Sequence, residues 1–468
     1  MKSVIDKIVS DIESRSTTAR EQVENALERA KSTDDYNALL TLTEERALDR
    51  ADEIDAAIVR GDSVGRLAGV PFVVKDNFLA FGAPTTAASK MLENFDAPLQ
   101  ATAVENLEKE GAICIGKSNL DAFAHGGSTE NSAFGVTLNA FDKTRVAGGS
   151  SGGSAVITAL DVVPFALGTD TGGSIRQPAS FNGVVGYKPT YGMVSRFGVV
   201  AMASSTDTIG CFAKSSQDVE TVMDIMSGRD ASDMTTLPDY FVPNNDPITP
   251  KKIGVIRQFM TDEVDEDVRR VTEDALQKLR DKGHAVEEVD IATAKHSVAM
   301  YYVIVPAEIS SNLARYDGIR YGHRAEASSL AELYGRSRDE GFVTENKRRI
   351  MIGSYVLSSG YFDAYYQQAQ KARTLLINEF KDLFKNYDMI VCPVSPTPAF
   401  GIGEHADDPV QMYLADAMTI PASLAGLPAV SVPAGFSKNG LPIGVQLIAD
   451  QKQDAELLKL AKEVEAIS

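Results

Sequence analysis

Residues 144–210 read TRVAGGSSGGSAVITALDVVPFALGTDTGGSIRQPASFNGVVGYKPTYGMVSRFGVVAMASSTDTIG. Ten of the chain's 36 glycines fall within the 45 positions 148–192. Glycine at that density weakens ordinary helices and strands, and it is used where backbone turns sharply or another group must approach it closely. Two serines stand inside the glycine runs, Ser150 in GGSSGGS and Ser174 in DTGGS, 24 positions apart. A serine hydroxyl is a weak nucleophile and needs a base to activate it.

About 75 residues upstream of GGSS, in GVPFVVKDN, residues Val70, Phe72, Val73 and Val74 predict a short buried strand running into Lys75. A lysine acts as a base only when neutral, and burial favours the neutral amine. None of the five histidines (His125, His284, His296, His323, His405) sits in a recognisable triad context.

Two other motif matches fail on physical grounds. Gly111–Ser118 fits the phosphate-loop pattern GxxxxGK[ST], but its intervening residues are apolar and strand-like, and a helix precedes them, whereas a phosphate loop needs a flexible turn after a strand. Gly148–Gly152 fits GxSxG, but the preceding NAFDKTRVA is a poor strand and the histidine partner is missing.

Further outward, residues 1–60 read as helical, with Thr18 and Glu21 as a capping box followed by Val23, Ala26, Leu27 and Ala30 at helical spacing. Residues 101–110 predict a helix and Ala112–Ile115 a strand. Residues 235–250 carry four prolines and predict a surface loop. Beyond it Ile253–Ile256 predicts a strand, 263–282 a helix and Ala285–Val289 a strand; then come a helix over 361–386 and strands over 389–393 and 429–434. This alternation predicts an α/β fold on a parallel or mixed sheet.

The chain has 468 residues, 44% hydrophobic and 24% charged, an ordinary globular composition. No N-terminal apolar leader and no run of about 18 uncharged apolar residues is present, so neither export nor a membrane span is expected. Cys114, Cys211 and Cys392 lie far apart, fitting neither a metal site nor a disulfide framework, and a cytoplasmic setting is expected. A formal net charge of −19 repels phosphate backbones and argues against unaided nucleic-acid binding.

GGSSGGS, GTDTGGSIRQP and GVVGYKPTYGMVSR, together with the upstream GVPFVVKDN, resemble the signature of the amidase signature family, and the resemblance extends over nearly the whole chain. It implies an amidase signature fold: a central twisted mixed β-sheet flanked by α-helices on both faces. It divides the chain into an N-terminal helical segment, residues 1–65, packed on the core, and one catalytic unit, residues 66–468. By the resemblance, Lys75 is the base, Ser150 the relay after a cis peptide bond, and Ser174 the attacking group. The amides of Thr171, Gly172 and Gly173, with that of Ser174, form the oxyanion hole. For Ser151 and Ser154 a purely structural role, bracing the loop, stays open, and neither is taken as catalytic. The implied chemistry is hydrolysis of a carboxamide through an acyl-enzyme.

Four further blocks, LDAFAHGGSTENSAFG, SSNLARYDGIRYG, KRRIMIGSYVLSSGYFDAYYQQAQ and DAMTIPASLAGLPAVSVPAG, are similar to the glutamine-hydrolysing A subunits of tRNA-dependent amidotransferases within that family. Glutamine is a zwitterion, and the resemblance carries its recognition to Tyr301, Arg349 and Asp416, with Tyr302 and Arg348 as adjacent alternatives. It also implies a B subunit that binds tRNA, ATP and Mg²⁺ and a small C subunit; this chain would hold no metal or cofactor and would meet tRNA only through the B subunit. The other reading is a stand-alone hydrolase of small or apolar amides. Ala147 and His125 depart from the family pattern, which has proline and methionine there.

Overall fold

The computed structural model describes residues 3–244 and 246–467. Among them eleven strands form one sheet: β1 (Leu39–Leu42), β2 (Pro71–Lys75), β3 (Ile113–Ser118), β4 (Phe165–Asp170), β5 (Val185–Lys188), β6 (Thr208–Ala213), β7 (Lys252–Ile256), β8 (Ala285–Val289), β9 (Met389–Pro393), β10 (Ala429–Phe436) and β11 (Pro442–Ala449). Their spatial order is β1-β3-β2-β4-β6-β5-β10-β11-β9-β7-β8. β2 is parallel to β3 and β4, and β7 to β8 and β9; the other neighbours run antiparallel. The sheet is mixed, as the alternation of elements predicts.

Both faces of the sheet are covered, so its central strands are buried at every position instead of alternating. Along β2, Phe72 and Val74 join one core cluster with Val104, Leu107, Phe165 and Leu167. Val73 points the other way, into a second cluster with Ile113, Ile115 and Ala166 and with Val23, Leu27, Ala47, Val156 and Ile157 from covering helices. The helix Ala19–Ser32 is closed by the expected capping box between Thr18 and Glu21, a device worth about 1 kcal/mol.

The N-terminal stretch departs from the all-helical expectation. Leu39–Leu42 forms β1, an edge strand antiparallel to β3. LLTL carries no period-two signal, so it is the neighbouring β3 backbone that draws it into the sheet. Residue 245 of the 235–250 loop lies outside the described residues, and the described part of that stretch holds no helix or strand.

The topology fixes the site. β2 and β4 are parallel neighbours, so Lys75 at the end of β2 and Asp170 at the end of β4 emerge at the same edge, where α/β sheets bind ligands. The helix Gly152–Ala159 starts directly after Ser150 and Ser151. Its Ser154 Oγ lies 2.7 Å from Ser118 Oγ and donates to the Leu167 carbonyl at 2.9 Å, which ties the helix to β3 and β4.

Candidate active site

Lys75 is completely buried. Its Nζ lies within hydrogen-bond distance of three hydroxyls, 2.7 Å from Ser150 Oγ, 2.8 Å from Ser151 Oγ and 3.0 Å from Thr169 Oγ1. None of these partners is a carboxylate, so nothing in direct contact holds the ammonium. Burial lowers the lysine pKa to about 7, against the weaker opposite pull of Asp121, Asp170 and Asp207. Those carboxylates are committed elsewhere or weakened themselves. Asp170 is engaged by Arg176, whose Nε and NH2 donate to its two oxygens at 3.0 and 2.9 Å. Burial works against the Asp170 carboxylate, yet Arg176 holds its pKa below the usual range. Asp121 and Asp207 are pushed up by burial. A lysine near neutrality in pKa, bonded to hydroxyls, is equipped to take a proton from serine.

The Gly149–Ser150 peptide is cis, as the resemblance implies. A Cβ on Gly149 would come within 2.2 Å of Asp121 Oδ2, so only glycine fits this turn. Ser174 is 6% exposed, and its carbonyl accepts from the Ser151 N–H at 3.2 Å, which ties the Ser174 loop to the Ser150 turn. Among the described residues the amides of Thr171, Gly172, Gly173 and Ser174 have no protein acceptor. Four consecutive free N–H groups suit a developing oxyanion. The loop is braced from behind: Thr171 Oγ1 donates to Asp207 at 2.8 Å, and Arg176 NH2 donates to the Gly172 carbonyl at 3.3 Å.

Of the three residues expected to grip a substrate, Tyr301 and Asp416 lie against this loop, and Arg349 acts on Asp416 through its charge. A Cβ on Gly172 would sit 3.0 Å from Tyr301 Oη, and one on Gly173 would sit 3.2 Å from Asp416 Oδ1. Tyr301 and Asp416 therefore touch the glycine loop that carries Ser174. Asp416 is 8% exposed, and its Oδ1 is buried without a protein partner. Burial, then the charge of Asp170, pushes its carboxyl up to about 7. Arg349, 3% exposed, lies over the rings of Tyr302 and Tyr413 at 5.2 and 5.7 Å. Of the adjacent alternatives, Arg348 is half-exposed, whereas Tyr302 stacks on Tyr413 at 3.8 Å and supports Arg349. A cavity of about 250 Å³ opens here, lined by Gly127, Ser128, Tyr302, Glu345, Arg349 and Tyr413.

A profile of the amidase family, described as Amidase, matches residues 21–458. The chain belongs to the amidase family. It is 49% identical over 467 residues to the A subunit of glutamyl-tRNA(Gln) amidotransferase from Koribacter versatilis, covering 98% of this chain and 97% of that one. The corresponding A subunit from Prochlorococcus marinus is 50% identical over 451 residues, covering 95% and 93%. The crystal structure of the glutamyl-tRNA(Gln) amidotransferase A subunit from Thermotoga maritima aligns with a TM-score of 0.79 at 41% identity, covering 96% of this amidase and 91% of that chain.

Several contacts of this amidase site are not legible in its sequence. Ser151 reads there as a brace, yet it bonds Lys75 directly, and Thr169 does not stand out at all. Glu345, which pairs with Arg349, carries a readable signal in its spacing of four on one helix. Tyr413 carries none, because only the fold brings it to Tyr302. The departure at His125 is absorbed locally: the ring is buried beside Asn346, whose Nδ2 lies 2.6 Å from His125 Nδ1, and burial, with Arg349 nearby, keeps it neutral. Lys117 of the rejected phosphate-loop match is a buried strand residue paired with Asp76 at 2.8 Å. Among the described residues no cluster of His, Cys, Asp or Glu could hold a metal ion, and no helix is long and apolar enough to cross a membrane.

Proposed function

We propose that this amidase is the glutamine-hydrolysing subunit of a tRNA-dependent amidotransferase, releasing ammonia for conversion of Glu-tRNA(Gln) to Gln-tRNA(Gln). What supports the reading is a buried carboxyl against the Ser174 loop, Asp416, with the buried guanidinium of Arg349 close enough to act on it through charge. Buried Arg349 suits an α-carboxylate, and the unpartnered Asp416 oxygen suits an α-ammonium. Tyr301 offers a hydroxyl beside Gly172. An apolar amide would leave the Asp416 oxygen without a partner and the free edge of Arg349 unused.

The reaction runs as acyl transfer. Ser174 Oγ attacks the side-chain carboxamide carbon while its proton passes through Ser150 Oγ to neutral Lys75. The negative oxygen that forms is received by the amides of Thr171, Gly172 and Gly173. Collapse breaks the C–N bond, the proton returns through Ser150 to the nitrogen, and ammonia leaves. Water then repeats the sequence on the ester and releases glutamate. The partners under this reading are a B subunit, which supplies tRNA, ATP and Mg²⁺ binding, and a small C subunit, in the cytoplasm. The test is glutaminase activity of the purified chain with and without those subunits, in wild type and Arg349→Ala. Loss of one charge-assisted contact of about 2–3 kcal/mol lowers kcat/KM for glutamine by about 30- to 150-fold in the variant. An unchanged kcat/KM refutes the clamp.

A further inference from the structure

We infer that Glu345 is a positioning residue that aims Arg349 at the substrate carboxylate and so sets the preference of this site for zwitterionic amides; the inference rests on the glutaminase reading above. Glu345 and Arg349 lie one turn apart on the helix Thr344–Val356 and are both buried, at 4% and 3% exposure. Arg349 Nε donates to Glu345 Oε1 at 2.8 Å. Tyr413 Oη donates to the same oxygen at 3.1 Å, and Arg348 pairs with the other. Every part of the Glu345 carboxylate is thus engaged, and Glu345 lines the same cavity as Arg349.

The consequence lies in which guanidinium edge remains. Arginine grips a carboxylate with two parallel N–H groups, from either its side or its end. Glu345 occupies Nε and so uses up the side edge. Among the described residues NH1 has no protein partner, and NH2 has only a long contact of 3.5 Å to Tyr302 Oη. The end edge is therefore the one presented to a ligand. The Tyr302 and Tyr413 rings under the guanidinium hold its plane, and Glu345 fixes its rotation within that plane. Asp416 reaches from this cavity to the nucleophile loop: a Cβ on Gly127 would be 3.5 Å from its Oδ2, and one on Gly173 would be 3.2 Å from its Oδ1. A substrate held end-on by Arg349 would then have Asp416, which lies against both Gly127 and Gly173, to receive its ammonium.

The experiment compares kcat/KM for glutamine with that for a carboxylate-free primary amide in wild type, Glu345→Gln, Tyr413→Phe and Arg349→Ala. Glu345→Gln keeps an acceptor for Nε but removes the charge. It is expected to lower the glutamine-to-amide ratio by about tenfold, chiefly through KM for glutamine, the size of one such contact. Tyr413→Phe, which removes one hydrogen bond to Glu345, lowers it by about two- to threefold. A ratio that stays at the wild-type value in Glu345→Gln while collapsing in Arg349→Ala overturns the inference and leaves the clamp standing. A ratio unchanged in both refutes the clamp reading and the inference with it. Should Glu345→Gln lose cooperative unfolding, Tyr413→Phe decides, and an unchanged ratio there overturns the inference.

Discussion

At the scale of single residues, the account turns on an amine that is neutral near physiological pH. Lys75 must be unprotonated to accept the serine proton, and its pKa lies at about 7. Glutaminase kcat/KM is therefore expected to rise with pH through about 7 in steady-state assays; a profile flat across pH 6–8.5 contradicts it. The same shift has a stability consequence. The unfolded chain holds the extra proton between about 7 and the usual lysine value near 10.4, so wild type loses stability as pH falls through that window. The melting temperature of Lys75→Met, which lacks the base, should therefore gain on wild type as pH is lowered from about 10 to about 7, read by calorimetry. A pH-independent difference would mean that Lys75 is not held neutral. Lys75, Ser150 and Ser174 are legible in the sequence because their chemistry is rare in combination: serines in glycine runs, no usable histidine, and a lysine ending an apolar strand. Thr169 is not, since a threonine in a strand reads as ordinary sheet, and only the parallel pairing of β2 with β4 brings it to Lys75.

At the scale of elements, the nucleophile loop is held by what surrounds it more than by its own sequence. Arg176, fully buried in the helix Arg176–Phe181, bonds both oxygens of Asp170, the carbonyls of Gly172 and Thr419, and the side chains of Gln446 and Ser423. It joins β4, the loop, β11 and the helix Ile420–Leu424. Removing one member of a buried ion pair costs about 3–5 kcal/mol, because the other charge is left uncompensated. Arg176→Met should lose stability on that scale in denaturant unfolding, and a loss below about 1 kcal/mol would show that the network is not what fixes the loop. Elements with a clear period or a cap are legible: the capped helix at Thr18, the strand into Lys75 and the helix over 263–282, which the structure places at Glu266–Asp281. The edge strand Leu39–Leu42 escapes because four residues give no period, and its pairing is decided by β3, some 75 positions away.

At the scale of the whole molecule, an eleven-stranded mixed sheet covered on both faces makes the rigid edge from which β2 and β4 deliver Lys75 and the Ser174 loop. The fold class is legible because strand and helix patterns alternate along the chain. The order of strands is not, since it depends on pairings between strands far apart in the chain, such as β2 with β4 and β5 with β10. The net charge of −19 also acts at this scale. In filter binding at about 0.15 M salt, where the Debye length is about 8 Å, the isolated chain should not retain tRNA, and retention should appear only with the B and C subunits present. Tight tRNA binding by this chain alone would contradict the assignment of roles. Rapid-quench mass spectrometry of the protein mixed with glutamine, followed by peptide mapping, tests whether Ser174 is the nucleophile. The account predicts a transient adduct of one glutamyl group on Ser174, absent in Ser174→Ala. An adduct on another residue, or glutamine turnover persisting in Ser174→Ala, would contradict it.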